Sequence, residues 1–281
     1  MAVTIQTLAY QDTTSAIHRY MRDNFSWLYS KTVIDGVSGK ATINSLDITG
    51  NLLKDADCVV DAIDIDWLAK EIELSYYNLS FPVEHCDLRR TWLSAFANKF
   101  QDEEEVFVYN LIPYLSEKIG DEVRTKITND MLTEAGLDVG VTKVTLAGAI
   151  TTPASANTTV LEFIAGLPQS IKDDVYDKHS YEGYSINVSP VAYELLAEYY
   201  GDKVSDYGVS VSGIRVVADK VLSGNSMYCT TSKNCLVVFD SAEDLNRVKI
   251  VDKPWINTSY IVTGLGVKGS YVSNKEIVIS N

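Results

Sequence analysis

Basic residues are scarce in this chain. Lys and Arg number 24 against 38 Asp and Glu, for a formal net charge of −14. The longest basic run is Arg89-Arg90. A protein that grips nucleic acid does so by laying Lys and Arg against phosphates. Sequence-specific DNA recognition is therefore not expected, and the acid excess reads first as solubility. Histidine is scarcer still: His18, His85 and His179, none spaced three or four apart. A histidine-based metal or catalytic centre would have to be assembled from isolated residues. The four cysteines, Cys58, Cys86, Cys229 and Cys235, contain no C-x-x-C pair. Zinc at its usual spacing is thus unsupported, and dispersed thiols of this kind are expected to be small buried hydrophobes. Glycine (16) and proline (6) are too few for a low-complexity chain. No apolar run approaches the roughly 20 residues that span a bilayer, so no membrane partner is expected. No basic start followed by an apolar stretch marks a secretory signal. Folding in a cytosol-like compartment is the expectation, and the Asn-x-Ser/Thr sequences at Asn78, Asn157, Asn187 and Asn257 read as chance matches.

What is present is apolar material in quantity. Of 281 residues, 46% are hydrophobic, and 17 are tyrosine. That suffices for one large domain or two modest ones. Tyrosine suits β-rich cores and half-wet interfaces alike.

Residues 14–29 place Ile17, Met21, Phe25 and Leu28 near one helical face. Such a helix either docks on its own core or forms an arm reaching another molecule. Residues 30–57, with Gly36, Gly39 and Gly50, read as loop with short strands. Asp55, Asp57, Asp61, Asp64 and Asp66 follow closely, but the central glycine and closing glutamate of a calcium loop are missing. Across 71–85, Ile72, Leu74 and Tyr76 alternate with polar residues, then Tyr77, Leu79, Phe81 and Val83 alternate in the opposite phase. A phase shift turns the other face inward, so a bulge or a change of packing partner is expected near Tyr76-Tyr77. Pro82 suggests an edge or a strand end.

A short helix is expected after Asp87, with Leu88, Trp92, Leu93 and Phe96 apolar. Acids 102–105 then open a segment in which Leu111, Leu115, Ile119, Val123, Ile127 and Met131 recur every four residues. That spacing predicts a long helix, with Pro113 in its first turn or kinking it, and Gly136 ending it. Residues 141–152 read as strand and turn. A second helical region is expected from about Asn157, with Thr159 and Glu162 as a capping box and Pro168 dividing it. YSINV (184–188) reads as a buried strand. Ser189-Pro190 caps a helix that Gly201 stops. From Gly213 on, Ile214–Val217, Ser226–Cys229, Leu236–Asp240, Val248–Val251, Tyr260–Val262 and Ile277–Ile279 read as short strands. Helices followed by strands, without alternation, make the class α+β.

Enzyme templates do not fit. There is no G-x-S-x-G elbow and no phosphate-binding G-x-x-x-x-G-K-[ST] loop. Gly264-Leu265-Gly266-Val267-Lys268-Gly269 matches G-x-G-x-x-G, but strand-like sequence follows where a dinucleotide site needs a helix. These glycines read instead as a hairpin. Carboxylates are plentiful, so a pair of facing acids is not excluded by counting.

Three stretches carry a family resemblance. EIELSYYNLSFPVEHCDLRRTWLSAF runs from an alternating strand through a Pro-Val step into a helix. YSINVSPVAYELLAEYY is a strand ending in Asn-x-Ser-Pro before a helix. GIRVVADKVLSGNSMYCTTSKNCLVVFD passes from β structure through a glycine turn into a buried strand. In this order they resemble the major capsid proteins of tailed bacteriophages, whose fold encapsulin shells share. The resemblance implies an α+β capsid fold. It would have an N-terminal arm (1–40), an extended β loop (41–85), a peripheral domain with the spine helix (86–144 and 226–281) and an axial domain (145–225). The spine itself would run roughly over 102–133. It implies a structural subunit, with no enzyme activity and no cofactor or metal, that assembles with itself into hexamers and pentamers of an icosahedral shell. Expected partners are portal and other capsid proteins, a separate scaffold or none, and packaged double-stranded DNA bound without sequence specificity. The expected location is the virion capsid, assembled in the host bacterial cytoplasm. No long scaffolding segment is expected before the arm. Trp67, Ile72, Leu74, Tyr76, Tyr77, Leu79 and Phe81 are the candidate inter-subunit contacts, since a projecting strand pair has edges to bury and aromatics carry contact energy. Burial in the chain's own core is the other reading of such residues. An encapsulin-like cargo shell and a carboxylate-dependent hydrolase are the alternatives in function.

Overall fold

A computed structural model of the chain describes residues 28, 30–49, 64–84, 112–177, 183–201, 209–240, 249–253 and 258–280. The expected helix over 14–29 apart from Leu28, the one after Asp87, the acids 102–105, and Asp55, Asp57 and Asp61 lie outside these residues.

The elements run in order β1 (Thr32–Ile34), β2 (Lys40–Thr49), β3 (Asp64–Glu73), β4 (Ser75–Glu84), α1 (Ile112–Leu137), β5 (Thr142–Val144), α2 (Pro153–Ala165), α3 (Gln169–Asp177), β6 (Tyr184–Val188), α4 (Pro190–Tyr200), β7 (Val209–Val211), β8 (Ile214–Ala218), β9 (Met227–Thr231), β10 (Cys235–Phe239), β11 (Lys249–Lys253), β12 (Thr258–Tyr271) and β13 (Ile277–Ser280). The mixture of helix and sheet agrees with the α+β reading.

Three sheets organise these elements. β2 and β3 form a two-stranded antiparallel ladder from Lys40↔Glu73 to Thr49↔Asp64. A second sheet runs β1-β10-β12-β11, with β4 also paired to β12. Thr258–Val262 bonds to β11 and β4 together, so these two lie on opposite edges of β12. The third sheet runs β5-β13-β9-β6-β8-β7. The chain passes between the second and third sheets at β9–β10 and again at β12–β13. Asn234, 2% exposed, ties the two passages together. Its side-chain Oδ1 accepts from Ser273 N at 2.7 Å, and its Nδ2 donates to Thr230 Oγ1 and to Ser273 O, both at 3.1 Å.

The third sheet is apolar on one face because its strands alternate. In YSINV, Tyr184, Ile186 and Val188 are buried, and Ser185 and Asn187 are not. The buried row packs with Val160, Phe163, Ile171 and Leu196 from α2, α3 and α4. α2 begins at Pro153 under a reciprocal cap between Thr152 and Ser155, four residues before the expected start, so Thr159 and Glu162 lie inside the helix. Thr159 is buried there, and the earlier Thr-Pro supplies the start that proline at a first helical position favours. Leu167-Pro168 separates α2 from α3 as expected. Ser189 caps α4 by accepting from Ala192 N, and Gly201, at φ 53°, follows its last turn.

α1 presents Ile119, Val123, Ile127, Met131 and Ala135, all buried, at the four-residue spacing seen in sequence. Its 26 residues span about 39 Å. Pro113 sits in the first described turn. Gly136 does not end the helix, which continues to Leu137. The glycines Gly264, Gly266 and Gly269 do not form a hairpin either: all three lie inside β12. Gly269 is there for close approach. A Cβ on it would stand 1.9 Å from the Ile127 carbonyl oxygen of α1. A Cβ on Gly266 would stand 2.9 Å from the Tyr76 ring.

One further difference concerns extent: β2 is a ten-residue strand where loop with short strands was expected. β9 pairs with both β6 and β13.

Candidate assembly surfaces

The segment 71–84 shows how one strand serves two partners. β3 pairs with β2 as far as Glu73. At Leu74, whose N–H donates to Gly39 O at 2.9 Å, the chain leaves that ladder. From Ser75 it pairs with β12 over ten positions, Ser75↔Val267 to Glu84↔Thr258. The expected change of packing partner thus occurs at Leu74, slightly before Tyr76-Tyr77.

The candidate contact residues are divided by this change. Ile72 and Leu74 are 3% and 6% exposed, packed with Leu236 and Val238 of β10. Their apolar side chains are packed inside the subunit. Alternation told which face is apolar but not which body covers it. Trp67 is paired in the hairpin ladder opposite Leu46. Leu79 and Phe81 are paired with Thr263 and Ile261 of β12. Tyr77 is half-buried, with the Lys126 ammonium 5.5 Å from its ring centroid. Tyr76 alone of the seven has a side chain described as open: it is 59% exposed, and its hydroxyl accepts from Gly39 N at 3.2 Å.

The base of the hairpin is clasped to the body through Lys70. Its ammonium sits 2.6 Å from Glu134 Oε1 of α1, donates to Tyr271 O at 3.0 Å, and lies 3.2 Å from the Tyr271 ring centroid. Glu134 Oε2 accepts from Ser270 at 2.6 Å. The Tyr271 hydroxyl donates to Asp138 Oδ2, whose other oxygen accepts from Gly140 N at 2.7 Å. Burial lowers the Lys70 pKa from its ordinary value, and Glu134 opposes that shift. Burial and the bond to Asp138 push the Tyr271 hydroxyl up. The bond from Tyr271 holds the Asp138 carboxyl below its ordinary value. One turn earlier on α1, Asp130 takes Lys126 at 3.0 Å and Lys268 of β12 at 3.7 Å. Lys268–Asp130 thus links α1 to β12, and Lys70–Glu134 links α1 to the hairpin.

Sequence reasoning did not single out Leu137 and Val139, which are 80% and 98% exposed just where α1 ends. Val191 and Tyr199 of α4 are also open. Exposed apolar side chains carry no periodic signal, so only the folded chain identifies them. Among the described residues, no group of three His, Cys, Asp or Glu is placed to hold a metal ion, and no helix is long and apolar enough to cross a membrane. Neither of two cavities bounded by described residues is lined by a pair of carboxylates.

No protein-family model matches the chain, and no curated protein matches it in sequence. Solved structures do. The chain is similar to a subunit in the satellite phage P4 procapsid, described with its size determination (Sid) protein, at TM-score 0.63 and 10% identity, covering 95% of this chain and 98% of that one. It is similar to the virus-like particle from Pyrococcus furiosus at TM-score 0.58 and 10% identity, covering 97% and 99%. It is similar to the bacteriophage PhiM1 mature capsid at TM-score 0.55 and 10% identity, covering 91% and 86%. Each likeness extends over most of both chains. The chain carries the major capsid fold of tailed bacteriophages.

Proposed function

We propose that this chain is a structural major capsid subunit, which assembles with itself into the hexamers and pentamers of an icosahedral shell around a phage genome. The observation that carries the reading is the likeness to shell subunits over 95% of this chain and 98% of the matched one, with no large part of either left over. The hairpin supports it. Among the described residues its two ten-residue strands have only each other as ladder partners, and unpaired strand edges are normally buried against another chain. Repeated weak contacts of this kind add up in a closed lattice.

Within this reading, 1–40 is the arm, the hairpin that starts at Lys40 is the extended loop, α1 is the spine, and the helix-backed sheet is the axial domain. The peripheral domain is the sheet around β12. Double-stranded DNA is the content, held without sequence recognition, as a charge of −14 suits. Portal and other capsid proteins, with or without a separate scaffold, are the partners, assembly takes place in the host bacterial cytoplasm, and no catalytic role is assigned.

Negative-stain microscopy of the purified protein tests the proposal. Closed shells or ring-shaped capsomers are expected. Particles from the native source should yield nuclease-protected DNA. Protein cargo in its place would favour the encapsulin-like alternative and overturn the genome-enclosing role.

A further inference from the structure

Among the described residues, the two most exposed large apolar side chains, Leu137 and Val139, stand on either side of Asp138 at the turn after α1. That turn is braced from within. Asp138 Oδ1 accepts from Gly140 N at 2.7 Å, its Oδ2 accepts from the Tyr271 hydroxyl, and its own N–H donates to Glu134 O at 3.0 Å. Lys143 Nζ donates to Gly136 O at 2.7 Å. The carboxylate is thus tied toward the body, the apolar pair is left open, and the exposed Lys143 is the charge at its rim. A knob fixed before contact loses little freedom on docking.

A second apolar feature lies on α4. Val191 and Tyr199, 63% and 50% exposed, have the half-buried Leu195 midway between them. At four-residue spacing the three share one helical face, and the outer two are about 12 Å apart along the axis. The exposed Glu194 and Glu198 border that face. The other exposed large apolar residues among those described offer no such seat. Tyr76 lies against Gly266 with its hydroxyl on Gly39 N, and Val33 and Leu161 are single residues on β1 and α2.

We infer that the Leu137 and Val139 knob of one copy seats on the Val191, Leu195 and Tyr199 face of a second copy of this chain. The inference rests on the shell-subunit reading and adds which two surfaces meet. Charge selects the pairing. Lys143 rims the knob, and Glu194 and Glu198 rim the helix face. Knob against knob, or helix against helix, would oppose like charges, whereas knob against helix opposes unlike ones. Symmetry agrees with charge. The two features lie on different elements of one chain, so their pairing is heterologous, the kind of contact that repeats from copy to copy and closes into a ring.

Cysteine trapping on particles assembled from the full-length protein tests the contact. Val139→Cys is combined with Val191→Cys or with Tyr199→Cys, treated with oxidant or a short bismaleimide, and run on denaturing gels. At least one pair should give a ladder of multimers beyond the bands of treated wild type, in which Cys229 and Cys235 are buried. Particles mixed from the single variants should stop at dimers. Trapping by Val139→Cys alone, no trapping by either pair, or equal trapping when Val33→Cys replaces the helix position would overturn the inference. Charge reversal covers cysteine variants that do not assemble. Lys143→Glu is expected to lower the assembled fraction about threefold in low salt, and Glu194→Lys with Glu198→Lys to restore it, with thermal melting as the control for fold. No loss, or loss without restoration, would overturn the pairing. Wild-type protein that assembles while trapping and restoration both fail contradicts this contact alone. Wild-type protein that never assembles contradicts the shell reading and the contact with it.

Discussion

At the scale of the residue, glycine gives the sharpest consequence. Gly269 lets α1 lie against β12, and the atom that a Cβ would meet is backbone, which cannot swing aside. Gly269→Ala is expected to destabilise by about 3 kcal/mol, the upper end of overpacking costs. Gly136 is the contrast: it is helical, and a Cβ there would meet nothing within 4 Å. Gly136→Ala should stabilise by up to about 1 kcal/mol, from helix propensity and a less free unfolded chain. Urea unfolding of both variants checks the pair. Sequence suggested turning roles for both glycines, a hairpin and a helix stop. The motif is the same whether glycine turns a chain or admits a neighbour, and only packing decides.

Titration belongs to this scale also. The Asp138 carboxyl is held below its ordinary value of 3.8, first by the bond from Tyr271. A depressed carboxyl adds stability that is complete above that ordinary value and is lost as pH falls through the lowered one. Tyr271→Phe removes the main cause. The variant is expected to lose less stability than wild type between pH 6 and pH 3, read as the shift in urea midpoint. An identical pH dependence in both proteins would contradict the assignment.

At the scale of the element, the hairpin and the long helix are coupled through Lys70. Lys70→Met keeps the length of the side chain but strands Glu134, which then retains only Ser270 of its clasp partners. The cost is expected to be about 1 kcal/mol, as for a half-exposed charge-assisted bond. Amide exchange should quicken at Ala41–Ile43 and Glu71–Glu73 while the protection of β6 and β9 is retained. Uniform acceleration through both sheets would mean the clasp is part of the global fold and no local tether.

Elements were legible where the signal is local. Ser189-Pro190 carries its own cap, YSINV its own alternation, and α1 its four-residue stripe. β2 was not legible, because Lys40–Thr49 mixes polar residues throughout and takes its extension from pairing with β3. The contact candidates were legible only as an apolar face. That Ile72 and Leu74 close on Leu236 and Val238 depends on residues more than 160 positions away.

At the scale of the molecule, one internal framework leaves apolar groups facing outward at its extremities. Val139, fully exposed beyond the end of α1, contributes nothing to folding that a charge would remove. Val139→Asp is expected to change unfolding by less than about 0.5 kcal/mol and to lower the yield of assembled particles in sedimentation. A stable variant that still assembles fully would remove this tip from the contact surface. The most direct measurement for the central claim is a cryo-EM reconstruction of the purified protein, assembled alone or with other virion components. The account predicts closed shells whose repeating unit fits α1 across its sheet, with the β2–β3 hairpin lying over a neighbouring copy. A compact monomer that never associates under either condition would contradict it.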